Sequence, residues 1–169
     1  MGLRADTPWL RLALASLLLA LGPAAARADE IAFAAGHGEL FSKHYGGYFL
    51  DYYHDAAPSD GRNLFLGLSA GGWPGEAQAT IVGASLGLRG TFARHGFWRA
   101  SLGGGYIDHT TEHLGTHGEF MIQLLAGRDF GGYDIAAGVF HVSNGDYLFH
   151  DGKPNDGENF LVAQIGVAF

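Results

Sequence analysis

Apolar side chains alternate with polar or small ones along most of this chain, in short runs separated by turn residues. Eight such segments of roughly 10–13 residues run over 30–40, 44–54, 62–72, 79–92, 96–108, 117–130, 132–143 and 158–169. A tilted strand of about 9–11 residues crosses a bilayer, so each is long enough to do so. The last segment is the clearest. Leu161, Ala163, Ile165, Val167 and Phe169 recur at period two, while Glu158, Gln164 and Gly166 occupy alternate positions. One face of that strand is apolar, and the other suits a filled polar interior. Gly83, Gly87, Gly103, Gly104 and Gly105 argue against helix and suit tight curvature. The pattern predicts an all-β fold, an eight-stranded antiparallel transmembrane β-barrel.

The connections give the barrel a direction. If the first strand starts on the periplasmic side, the odd-numbered links are external. The long links 109–116 and 144–157 are then external, and the Gly131-Gly132 link is a tight periplasmic hairpin turn. Two links fit less well, because 55–61 is a longish inner turn and 41–43 a short outer one.

Residues 1–28 have another purpose. Arg4 and Arg11 precede an apolar run from Leu12 to Leu21, Pro23 breaks it, and Ala26-Arg27-Ala28 fits a small-x-small cleavage site. This predicts a cleaved secretory signal peptide over 1–28 and a barrel domain over 29–169. Cleavage removes Arg4, Arg11, Arg27 and Asp6, three positive charges and one negative, so the formal charge of −7 becomes −9. So acidic a chain argues against a nucleic-acid partner. With no cysteine there is no disulfide framework, thiol nucleophile or thiolate metal site.

Candidate chemistry lies at the end of the seventh segment. His141 and Ser143 are two residues apart, so on a strand they share a face, and an imidazole can take the proton of a neighbouring serine hydroxyl. His-x-Ser alone is a weak signal, since two polar residues at a strand end look the same. The run continues through Asn144 and a loop to Pro154, Asn155 and Gly157 before the final strand. This combination resembles the outer-membrane lipid A 3-O-deacylases of the PagL type, with their His-x-Ser-Asn at the end of strand seven and Pro-Asn-x-Gly before strand eight. Gly118-Glu119-Phe120 through Gly127 resembles the family's sixth strand more loosely. The specific resemblance covers about the last fifty residues.

The resemblance implies an eight-stranded barrel in the Gram-negative outer membrane that hydrolyses the acyl ester at position 3 of lipid A. Ser143 is then the nucleophile, His141 the general base and Asn144 a candidate for stabilising the oxyanion. No cofactor or metal is expected, lipid A is the substrate, and a homodimer stays open. Two departures stand out. Where the best-known members carry a histidine-orienting Glu, this chain has Asn159, and its carboxylate is one residue earlier, at Glu158. By the pleat, Asn159 shares the face of Leu161 and Phe169, whereas Glu158 points into the barrel. If His141 and Ser143 face the lipid, Asn159 reaches them and Glu158 does so only through a bulge. An Asn can orient an imidazole but supplies no charge, which predicts a slower enzyme. The link from Asn144 to Pro154 is also longer than in the family.

Two other readings compete. A non-enzymatic small barrel with a structural or adhesive role needs no catalytic pair. A soluble periplasmic lipid-binding barrel would turn Leu161, Ile165 and Phe169 inward. His109, His113 and His117, with Asp108 and Glu112, form a loop cluster read as solvated rather than metal-binding. His37, His44 and His54 are read as interfacial. Trp73, Trp98, Tyr45, Tyr48, Tyr52 and Tyr53 are read as aromatic girdles.

Overall fold

The computed structural model describes residues 29–38, 45–59, 62–75, 78–92, 94–145, 152 and 154–169. Residues 1–28, read above as a signal peptide, lie outside them, as do His44 and the side chain of Tyr45. Eight strands follow one another: β1 (Glu30–Gly38), β2 (Tyr45–Ser59), β3 (Arg62–Trp73), β4 (Ala79–Phe92), β5 (Gly96–Ile107), β6 (Gly118–Asp129), β7 (Tyr133–Ser143) and β8 (Glu158–Ala168). Each pairs antiparallel with the next, and β8 closes on β1, which leaves no strand edge unpaired.

The expected segments match these strands closely except at β2. That strand runs on to Ser59, with a register irregularity between Asp55 and Ala57. Asp55-Ala56-Ala57-Pro58-Ser59-Asp60-Gly61 has turn composition, but the bulge absorbs the misfit and leaves Pro58 near the strand end, where a missing N–H is tolerated. Connections at one end of the barrel are therefore all short, at 60–61, 93–95 and 130–132. Those at the other end are 39–44, 74–78, 108–117 and 144–157.

Leu161, Ile165, Val167 and Phe169 face outward, with Leu66, Leu86, Leu102, Leu124 and Ile135 elsewhere around the wall. This is the reverse of a soluble lipid carrier. The interior has two tiers. Toward the short-turn end, Arg99 Nη2 donates to Glu30 Oε2 at 2.7 Å and Nη1 to Gln164 Oε1 at 3.1 Å, its guanidinium 3.8 Å from the Tyr53 ring centroid. Gln164 and Ser69 in turn donate to Asp51 at 2.9 and 2.6 Å. Toward the long-loop end, Phe49, Phe140, Phe160, Trp73, Ile107 and Val142 belong to an apolar core cluster. Phe49 meets Phe140 and Phe160 edge-on at 4.4 and 5.3 Å.

Two members of the expected girdles are corrected here. Trp73 and Tyr53 are buried in the interior, because an eight-stranded barrel is filled by side chains and both fall on its inner face. Tyr48 is outward and exposed. Tyr52 and His54 bind the Asp29 carboxylate at the short-turn end, at 2.9 and 2.7 Å.

Candidate active site

The outer face at the long-loop end of β7 and β8 brings three polar side chains into an apolar wall. His141 and Asn159 are direct cross-strand partners, and His141 Nδ1 lies 2.8 Å from Asn159 Oδ1. An amide oxygen only accepts, so Nδ1 is the donor, and in the neutral ring the lone pair then lies on Nε2. Ser143 stands two residues further along β7 on the same face, its Cα roughly 6.5 Å from that of His141 by strand rise. Among the hydrogen bonds of the described residues, His141–Asn159 is the link within this trio. Both His141 and Ser143 are half-buried.

Glu158 is not brought to His141. It pairs with Val142 across the strands and points inward, 2% exposed, with its Oε1 3.6 Å from His113 Nδ1. The pleat separates the two candidates for a third member, and the bulge that would have delivered Glu158 is absent from the β7–β8 register.

Asn144 follows the nucleophile candidate and is buried. Its backbone N–H donates to Asn155 Oδ1 at 3.0 Å, and its side-chain Nδ2 donates to the Pro154 carbonyl at 2.8 Å. The reason for glycine in Pro-Asn-x-Gly is also visible. Gly157 has φ +70, and a Cβ there would lie 3.0 Å from His141 Cε1. The left-handed backbone favours glycine there, and a Cβ would push the imidazole aside by a few tenths of an ångström.

A groove of about 710 Å³ opens beside the trio, lined among others by Val82, Gly104, Tyr106, Phe120 and Asn144. Phe120 is the cross-strand partner of Ser143, so the groove begins next to the serine. Sequence reasoning missed it, although the outward Gly104 of β5 and the pairing of strands six and seven were its ingredients. The loop histidines are engaged separately. His109 pairs with Asp108 at 3.1 Å, His113 with Glu112 at 3.3 Å, and His117 stacks on Tyr106. Among the described residues no group of three or more such side chains could hold a metal ion.

The family model for lipid A 3-O-deacylase (PagL) matches residues 39–168. Among solved structures, the crystal structure of the outer membrane enzyme PagL superposes with a TM-score of 0.68 at 20% identity, covering 82% of this chain and 98% of that one. The Yersinia pestis outer membrane protein Ail gives 0.53 at 9% identity, covering 85% and 100%. Neisserial surface protein A gives 0.50 at 12%, covering 83% and 97%. These structural likenesses are likenesses of fold. No curated protein matches by sequence.

Proposed function

The chain belongs to the lipid A 3-O-deacylase (PagL) family, and from that premise we propose that it is an outer-membrane esterase removing the acyl chain ester-linked at position 3 of lipid A. Residues 1–28 are cut off during export, and the long-loop end faces outward, where lipid A forms the outer leaflet. Ser143 Oγ attacks the ester carbonyl while His141 Nε2 takes its proton. Charge develops on the carbonyl oxygen, beside Asn144, whose side chain or neighbouring amides stabilise it. Collapse breaks the ester bond, and the imidazolium returns its proton to the departing sugar hydroxyl. Water, deprotonated by His141, then releases the fatty acid from Ser143. The apolar groove beginning at Phe120 takes the acyl chain.

One observation carries this reading. The hydrogen bond from His141 to Asn159 fixes the tautomer that leaves Nε2 basic, on the face that Ser143 shares. Asn159 orients the ring without adding charge, so the imidazolium formed in the transition state is less well stabilised than by a carboxylate.

The test is lipid A mass spectrometry on membranes carrying wild type or Ser143→Ala. Loss of one 3-hydroxyacyl chain with wild type alone is the expected result. Unchanged lipid A in both would sink the esterase and favour a non-enzymatic barrel.

A further inference from the structure

We propose that the stacked Tyr106 and His117 rings, with the glycine notch beside them, form a saccharide subsite that seats the sugar bearing the ester while Ser143 attacks. The inference rests on the esterase reading above and deepens it, by placing the sugar end of the glycolipid.

The strand register positions the pair. Ser143, Phe120 and Gly104 are successive cross-strand partners on β7, β6 and β5, so they lie in one row across the outer wall. Gly118 and Tyr106 are partners two residues nearer the long loops. Two strand spacings across and two residues along put the Tyr106 Cα about 12 Å from that of Ser143. The sugar is joined to the ester oxygen, so it settles close to Ser143, and the Tyr106 side chain covers part of that span. The groove opens on this side of the serine, lined by Gly104, Tyr106 and Gly118. In an outer leaflet the sugar lies outside the acyl chains, and Tyr106 stands on the long-loop side of the serine's row.

The rings are held in place without a ligand. Their centroids are 5.2 Å apart and their planes 12° from parallel. His117 Nδ1 donates to the Ile107 carbonyl at 2.8 Å, and the Ile107 N–H donates to the His117 carbonyl at 2.9 Å. This pairing continues the β5–β6 ladder one residue past Tyr106 and fixes the imidazole. With His117 stacked against it, Tyr106 is still 56% exposed. An aromatic face is negative and the C–H groups of a sugar ring are weakly positive, so a fixed, exposed ring attracts the flat side of a sugar. Little ordering of the protein opposes that contact.

The notch has no packing cause. Inward-facing Gly105 would drive a Cβ to 2.7 Å from Met121 Sδ. Outward Gly118 has nothing within 4 Å of where a Cβ would stand, and outward Gly104 has the Glu119 carbonyl at 3.8 Å. Neither has the positive φ that favours glycine. Packing would admit a side chain at both positions, so what glycine preserves is open space beside Tyr106. A tyrosine serving only as an interfacial anchor needs no such space.

The test is selectivity for the sugar. Fatty-acid release is measured in mixed detergent micelles from lipid A and from the methyl ester of the same 3-hydroxy acid, with Ser143→Ala as the blank, and the two kcat/KM values are taken as a ratio. Tyr106→Ala lowers the ratio of lipid A to methyl ester about 5- to 10-fold, the scale of one aromatic contact. Tyr106→Phe, which keeps the ring, keeps the ratio close to the wild-type value. Gly118→Val, which fills the notch from the neighbouring strand, lowers the ratio while the barrel still shows its folded gel mobility without heating. A ratio that does not fall in Tyr106→Ala or in folded Gly118→Val, even if both substrates are cleaved more slowly, overturns the subsite and leaves the esterase standing. So does a Tyr106→Phe ratio as low as that of Tyr106→Ala. No Ser143-dependent release from lipid A by the wild type overturns the esterase reading and the subsite with it.

Discussion

The two ends of the barrel interior solve the same packing problem with opposite chemistry. At the short-turn end the space between the strands is filled by Arg99, Glu30, Gln164, Asp51, Tyr53 and Gln123 in one hydrogen-bonded network. At the long-loop end Phe49, Phe140, Phe160, Trp73 and Leu114 pack together, and Glu119 and Glu158 are also buried at that end. The polar tier ties together strands far apart in sequence, such as β1 to β5 and β2 to β8. It is strong only while every partner is present. The apolar tier is less directional but close-packed, and it lies directly beneath the strand ends that carry His141, Ser143 and Asn159. On the proposed reading, it holds those ends in place. The polar tier is a scaffold device, and the apolar tier is both scaffold and support for the site.

That contrast breaks most visibly at Arg99. Arg99→Met takes the buried guanidinium from Glu30 and Gln164, leaving Glu30 with Arg89 alone at 3.2 Å, and should cost about 3 kcal/mol. Urea unfolding in micelles should fall accordingly, with the turnover per folded molecule unchanged. Phe160→Ala removes a similar amount, about 3–5 kcal/mol, by opening a cavity. Here turnover should fall together with stability, because the hole lies under Asn159. If Arg99→Met lowered turnover as much as Phe160→Ala, the division of labour between the tiers would be wrong.

On the outer face the effects are smaller. Asn159→Ala frees the imidazole to rotate and should lower kcat about 100-fold, or roughly 2.7 kcal/mol. Glu158→Gln, one residue away but on the inner face, should change kcat by less than about twofold, a difference near the scatter of such measurements. Fatty-acid release by the two variants compares the faces directly. The smallest effect expected is a pH dependence at Asp108. Partial burial works to raise its pKa, but the Thr80 amide and His109 outweigh burial and hold it below the usual carboxylate range. A depressed pKa contributes stability above the unfolded value and loses it as pH falls through the folded one. Its side chain is 44% exposed, so the gain is under about 1 kcal/mol. Asp108→Asn should flatten the profile by lowering stability at neutral pH by under about 1 kcal/mol while leaving the acid value nearly unchanged, as read by thermal unfolding across pH.

Much of this was legible in the alternation alone. Leu161 to Phe169 at period two announced the outward face of β8, and the same pleat separated Asn159 from Glu158 without any structure. Other features were hidden because they depend on which residues the closed sheet brings together. Asp55 to Gly61 has the composition of a turn, and only pairing with β3 shows that the strand continues through it. Trp73 and Tyr53 have the composition of a membrane girdle, and only the closed sheet reveals that they fill the inside. Leu114 sits in a loop of Thr, Gly and His, and its burial depends on contacts with residues about forty positions later.

The central claim is that Ser143 is a nucleophile made reactive by His141. A serine-directed fluorophosphonate, added to the folded protein in micelles and mapped by peptide mass spectrometry, tests it most directly. The account predicts label on Ser143 in wild type and a loss of at least about tenfold in labelling rate with His141→Ala, as expected when the base is removed. Label spread over other hydroxyls, or labelling of Ser143 that ignores His141, would contradict it.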